Sequence, residues 1–375
     1  MKAIINARFV TNGQIIDDKV LLFDEKIIGF FDSVPQEGKP ETIDAGGAYV
    51  SAGFIDLHIH GSGGADVMDA TPQALQTLSR ILPQTGTTSF LATTMTMSAD
   101  MIEKALQNIR THANEVTGAQ ILGVHLEGPF INPDRHGAQD RAFVQPPDIS
   151  LVAKYNDIIR MVTLAPEMPD AKAMIERIKK EYPHILLSAG HSDATYAEAM
   201  ESFGWGVSHV THLFNAMSGL HHRKPGLVGA VFESDVSCDI IADLVHTHPA
   251  TLALTQRLKK GALILITDAM RAGCMRCGSY DLGGRYVEVQ EGKAVLGDGT
   301  LAGSVLKMHE ALRNMSEHTA ATLPELIDMV TTLPAQKLGV QKGVLQEGYD
   351  ADITIFDENF DIMLTIINGK INFQG

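Results

Sequence analysis

Cysteine is scarce in this sequence, with three in 375 residues. Three thiols cannot build a disulfide framework, so the expected compartment is a reducing one, the cytoplasm. Basic residues are also short: 30 Lys and Arg stand against 45 Asp and Glu, a net charge of −15. So acidic a surface argues against non-specific binding to nucleic acid or an anionic membrane. It leaves room for a small anionic ligand, since one buried arginine can serve a phosphate locally. No apolar run approaches the roughly 18 residues of a membrane span. The start, MKAIINARFV, is broken by Asn6 and Arg8 before a signal-peptide core forms. A GxxxxGK phosphate loop is missing as well, so any phosphate bound here belongs to a substrate.

What is present is ordinary for a globular chain, 45% hydrophobic and 20% charged residues. The length allows two to three domains, or one barrel of about 250 residues with a small companion. AIINARFVTNG and KVLLFDEKIIGFFDSV near the start, and GYDADITIFDENFDIMLTIINGKINF at the end, read as short strands, the last with an Asn368-Gly369 hairpin signal. The two ends are expected to pair into one discontinuous β-sandwich, residues 1–50 with 345–375. Residues 51–344 read as strand then helix, repeatedly. Apolar runs end near His60, Thr94, Glu127, Glu167, His191, His212, Asp243 and Asp268, with amphipathic stretches such as ALQTLSRILPQ and DAKAMIERIKKEY between them. Thr71-Pro72 and Thr322…Glu325 carry helix-start signals. The pattern predicts an α/β fold, a (β/α)8 TIM-type barrel.

Acids and histidines end most of these runs, and in a barrel those ends meet at one mouth. His58 and His60 lie two apart on a strand, so both imidazoles face one way and can hold one metal. Gly61, Gly63 and Gly64 then suit a tight loop. Glu127 is placed to ligate or bridge metals, whereas His125 reads as an interior hydrogen-bonded histidine. His191 and His212 end neighbouring strands beside this group. A metal lowers the pKa of water toward neutrality, and Asp268 is placed to accept its proton and return it to a leaving amine. A helix N-cap is the plainer reading of Asp268. Arg223, in HHRKPGL, is either a solvated loop residue or a phosphate clamp, and His221 and His222 are expected in solvent. Cys274 and Cys277 form a CxxC, but a four-ligand zinc site has only Cys238 left to draw on, and a thioredoxin-like context is missing.

Taken together, SAGFID, HIHG, HLEGPF, TLAPE, SAGHSDAT, THLFNAM, KPGLVGAV, ITDAM, TLAGS and GYDADITIFD resemble the amidohydrolase superfamily and, within it, the N-acetylglucosamine-6-phosphate deacetylase family. The resemblance runs over essentially the full length. It implies metal-dependent hydrolysis of the acetamide of N-acetylglucosamine 6-phosphate to glucosamine 6-phosphate and acetate. It implies Glu127, His191 and His212 as ligands of the main divalent metal, with His58 and His60 allowing a second ion. It implies Asp268 as catalytic acid/base and His246 as a substrate contact that stabilises the oxyanion. Ala138, Asn215, Ala216, Leu301, Ala302 and Gly303 fall at sugar-contacting positions and Arg223 at the phosphate. A homodimer with Arg223 near its interface is also implied. Zinc, iron, manganese and cobalt all accept such ligands, one or two ions per subunit. Two other readings stand beside this one: a deacetylase of the galacto epimer or a related N-acyl amino sugar phosphate, and a non-catalytic sugar-phosphate sensor. A dihydroorotase-type enzyme fits less well, because no bridging lysine stands where Glu127 does.

Overall fold

The eight apolar runs of the middle of the chain pair in parallel, in chain order, into one sheet. In this computed structural model, which describes residues 1–36 and 38–375, the strands are β1 (Phe54–Ile59), β2 (Thr87–Thr93), β3 (Gln120–Glu127), β4 (Ile159–Leu164), β5 (Leu186–Ala189), β6 (His209–Val210), β7 (Ser237–Ile241) and β8 (Leu263–Ile266). Every residue of β1, β2, β5, β7 and β8 is buried. That is why these strands read as near-continuous apolar runs and not as alternations: helices cover one face and barrel contents the other. The barrel closes between its first and last strands. His60 N–H donates to Ala269 O at 2.9 Å, and Asp268 N–H donates to His58 O at 2.9 Å. The closing seam therefore brings the His-x-His pair beside Asp268, residues more than two hundred positions apart in sequence.

Local chemistry explains the helices between strands. Thr71 Oγ1 accepts the Ala74 N–H at 3.2 Å and Pro72 opens the helix Pro72–Ile81, a cap that contributes about 1 kcal/mol. Helix Ala171–Glu181 buries Ala171, Met174, Ile175 and Ile178, the i, i+3, i+4, i+7 face of an amphipathic helix. Glu325 accepts the Thr322 N–H at 2.9 Å, half of the expected capping box. Among the described residues, no helix is long and apolar enough to cross a membrane.

The chain ends do share a sheet. Strands Arg8–Thr11, Gln14–Ile16 and Tyr49–Ala52 join Ile353–Phe356, Ile362–Ile367 and Lys370–Gln374 in six strands. A second, four-stranded sheet is entirely N-terminal. Ile4, Leu21 and Phe23 from it pack with Phe9, Val50, Ile353 and Ile366 in a core separate from that of the barrel. Asn368 and Gly369 turn the last hairpin with φ of 47° and 70°, as an Asn-Gly pair permits.

One element departs from the sequence reading, which treats residues 271–280 only as a CxxC loop. Strands Gly278–Leu282, Arg285–Gln290 and Lys293–Leu296 form a separate antiparallel sheet after β8. Gly283-Gly284 and Glu291-Gly292 make its two turns, all four residues at positive φ. Those dipeptides between alternating strands are the signal that locates it.

Candidate metal centre and substrate cavity

At the C-terminal mouth of the barrel, imidazoles and carboxylates converge. Glu127 Oε1 lies 3.1 Å from His191 Nε2 and 3.0 Å from His212 Nε2. His58 Nε2 and His60 Nε2 are 3.2 Å apart, as strand alternation requires. His60 Nε2 is 3.3 Å from both Glu127 Oε2 and Asp268 Oδ1, and His58 Nε2 is 3.4 Å from Asp268 Oδ1. All six side chains are buried. Two ligand groups result, Glu127/His191/His212 and His58/His60/Glu127, sharing one carboxylate.

The backbone is bent to reach this geometry. His191, His212 and Asp268 sit at φ of 49°, 34° and 47°, a left-handed conformation that costs a non-glycine residue about 1–2 kcal/mol. Each is tied down. His191 O accepts Asn132 N–H at 2.9 Å. The His212 N–H donates to the buried Asp239 carboxylate, whose other oxygen is 2.9 Å from His209 Nε2. Asp268 O accepts Ser304 N–H at 2.7 Å. Gly61 follows His60 because a Cβ there would stand 2.4 Å from Ala65 O.

The donor set fits a divalent metal. His191 Nδ1 meets Arg135 O at 2.9 Å and His60 Nδ1 meets Thr93 O at 3.3 Å. Carbonyls at Nδ1 accept the ring N–H, leaving the Nε2 lone pair aimed into the cluster. Nitrogens 3.2 Å apart with shared carboxylates are the arrangement a cation resolves, and imidazole with carboxylate suits zinc, iron, manganese or cobalt. Without a metal, protons take that place. Burial alone disfavours each charge, but Asp268 and Glu127 override it and raise His60 well above the ordinary histidine value. Burial likewise opposes charge on His212, which Glu127 raises to about 9. Against the same burial, His58, His60 and His212 hold Asp268 down at about 2. Asp268 is thereby held ionised, and it caps no helix, since the next element after β8 is the strand Gly278–Leu282.

A cavity of about 240 Å³ stands over this cluster. Of the residues expected to contact substrate, Ala138, Asn215, Ala216, His246, Leu301 and Gly303 line it. His246 Nδ1 is held by Asp243 Oδ2 at 2.7 Å, leaving Nε2 as its free nitrogen. Two expected residues are not brought to the cavity wall. Ala302 is fully buried and bonds Ala294 O through its backbone. Arg223 is exposed in the loop after β6, with its guanidinium 2.6 Å from His222 Nε2. His221 and His222 are exposed beside it, and His125 is interior, 2.6 Å from Thr163 Oγ1, both as expected. Cys238, Cys274 and Cys277 are free thiols, and among the described residues no metal-holding group includes them.

The sequence reading passes over three contributors. Gln139 is buried and donates to Glu127 Oε2 at 2.8 Å. Its neighbour Ala138 is expected only as a sugar contact. Asp239, behind His212, lies inside a strand and carries no motif. Arg285 comes from the inserted sheet and donates to Ala138 O at 2.9 Å, so it ties that sheet to the cavity rim.

The comparisons agree with this geometry. Residues 49–372 match the model of the amidohydrolase family, and the chain belongs to that family. Within it, the chain is similar to deacetylases of N-acetyl amino sugar phosphates. It is 40% identical to an N-acetylglucosamine-6-phosphate deacetylase of Lysinibacillus sphaericus, over 95% of this chain and 93% of that one. It is 34% identical to an N-acetylgalactosamine-6-phosphate deacetylase of Escherichia coli O157:H7, over 97% of each. The crystal structure of the Pasteurella multocida N-acetylglucosamine-6-phosphate deacetylase superposes with a TM-score of 0.95 at 30% identity, covering 100% of both chains.

Proposed function

We propose that the protein hydrolyses the acetamide of N-acetylglucosamine 6-phosphate to glucosamine 6-phosphate and acetate. The observation that carries this reading is the juxtaposition of the ligand cluster with an ionised Asp268 on the floor of a cavity lined by Ala138, Asn215, Ala216 and His246. The 40% identical relative supports the gluco substrate.

Glu127, His191 and His212 would hold the main metal, and His58 and His60 a second with Glu127 between them. Bound there, a divalent metal supplies Lewis-acid polarisation of the carbonyl and a lowered pKa for the attacking water. Asp268, kept ionised by His58 and His60, accepts the water proton and delivers it to the amine nitrogen as the C–N bond breaks. His246, braced by Asp243, turns Nε2 to the oxygen on which negative charge develops. Ala138, Asn215 and Ala216 orient the sugar, with Leu301 and Gly303 lining the same cavity.

We place Arg223 at the phosphate and the active form as a homodimer. In one chain the Arg223 loop is exposed beside Leu220, which is 53% exposed, and a partner subunit would cover it. The division into a barrel (51–344) and a sandwich (1–50 with 345–375) is also our reading, supported by the two separate apolar cores. So is the cytoplasm, where the three thiols stay free.

The test is kcat/KM, by acetate release, for N-acetylglucosamine 6-phosphate, its galacto epimer and unphosphorylated N-acetylglucosamine. The gluco phosphate should lead. A lead by the epimer overturns the substrate and keeps the chemistry.

A further inference from the structure

Glu127 is asked to serve two ligand groups, and its two oxygens are not in equivalent surroundings. Oε1 faces His191 Nε2 at 3.1 Å and His212 Nε2 at 3.0 Å. Oε2 faces His60 Nε2 at 3.3 Å, while His58 Nε2 approaches Oε1 at 3.6 Å. Among the described residues only Oε2 carries an additional partner, the Gln139 side-chain amide, whose Nε2 donates to it at 2.8 Å. The amide cannot simply turn over. Gln139 Oε1 accepts the Thr96 backbone N–H at 2.7 Å, and a flip would set two donors face to face. Gln139 is 3% exposed, so water does not compete for the amide. His191 Nε2, 3.3 Å from the same nitrogen, is its only other near neighbour in the cluster.

A carboxylate that serves two cations through separate oxygens gives one oxygen to each. Here the oxygen on the His60 side already has one lone pair committed to a buried N–H and part of its charge drawn off. The oxygen on the His191–His212 side is free of any such donor apart from the imidazoles themselves. We infer that Gln139 sets the order of metal loading: the Glu127/His191/His212 position fills first and tightly, and the His58/His60/Glu127 position fills second and more weakly because Gln139 holds Glu127 Oε2. This rests on the metal-dependent reading above but not on the substrate. Gln139 is a positioning residue in this role, acting through Glu127.

The experiment measures bound metal with no sugar present. Metal-free protein is equilibrated with increasing zinc, and again with manganese, and metal per chain is read by elemental analysis after removal of free ion. The native chain should load in two separated steps. Gln139→Leu keeps bulk and removes the donor; it should tighten the second step by about tenfold or more, since outer partners of metal ligands typically move affinity by roughly 10–100-fold. Gln139→Glu also removes the donor and adds a negative charge, and it should tighten the second step as well. His58→Ala should leave one step in every background. Two equal steps in the native chain, or a second step unmoved or weakened in both Gln139 variants, would overturn the inference. Circular dichroism of each variant separates these outcomes from misfolding. Because acetate release plays no part, a wrong substrate leaves this result intact, and a wrong loading order leaves the deacetylase reading intact.

Discussion

The floor of the cavity and its rim are built by different means. The floor is made of strand ends, with Glu127 on β3 and the His58–His60 pair and Asp268 on the two sides of the barrel seam. All are buried, and each bent backbone is held by a named hydrogen bond. The rim is made of loops and an inserted sheet: Ala138 before a short helical turn, Arg223 in an exposed loop, Leu301 and Gly303 after the sheet that carries Arg285. Fixed strand ends keep reactive groups within tenths of an ångström, which bond-making needs. Loops vary in length and sequence without disturbing the barrel, which suits the recognition of a particular sugar. Substitutions on the floor should therefore act on turnover, and those on the rim on substrate affinity.

The largest effect should come from emptying the floor. Removing metal with a chelator should take turnover to background and lower Tm, with zinc or manganese restoring both; full activity in metal-free protein, shown by elemental analysis, breaks the account. Next is Asp268→Asn, which keeps the shape and removes the proton acceptor. It should retain metal and lose about 10²–10⁴ in kcat, and near-normal turnover would remove Asp268 from its role.

Rim substitutions come lower. Arg223→Ala should raise KM for the phosphorylated sugar by about tenfold to a hundredfold, a bidentate charge-assisted contact, with kcat changed much less and the unphosphorylated sugar unaffected. An equal loss on both sugars would move Arg223 away from the phosphate. Arg285→Ala loses one hydrogen bond to Ala138 O and should raise KM by only a few-fold, about 1 kcal/mol. The smallest effect sharpens the floor's electrostatics. His212 titrates near 9 in the metal-free chain because Glu127 outweighs its burial, so at pH 7 a proton must leave before metal binds. Metal affinity should rise with pH up to about 9 and then level off, and protons should be released on loading. Calorimetry in buffers of different ionisation enthalpy reads that release; no proton release at pH 7 would contradict it.

The same contrast governs what could be read from sequence. His58, His60, Glu127, His191, His212 and Asp268 were legible because strand ends in a barrel converge whatever lies between them. The N- and C-terminal strands were legible as short apolar runs and by Asn368-Gly369. The inserted sheet went unread although Gly283-Gly284 and Glu291-Gly292 mark its turns. Gln139 and Asp239 had no signal of their own, since their roles come from tertiary neighbours: Thr96 and Glu127 for one, His209 and His212 for the other. Arg223 sits in a recognised motif, but in a single chain its side chain meets His222 and not the cavity.

The central claim is that this floor hydrolyses an N-acetyl group. Its most direct test is to supply metal-loaded protein with N-acetylglucosamine 6-phosphate and follow acetate and free amine together by proton NMR. The account predicts that the two appear in equal amounts over many turnovers. Neither product, with metal shown to be bound, would contradict it and bring forward a protein that binds the sugar phosphate without cleaving it.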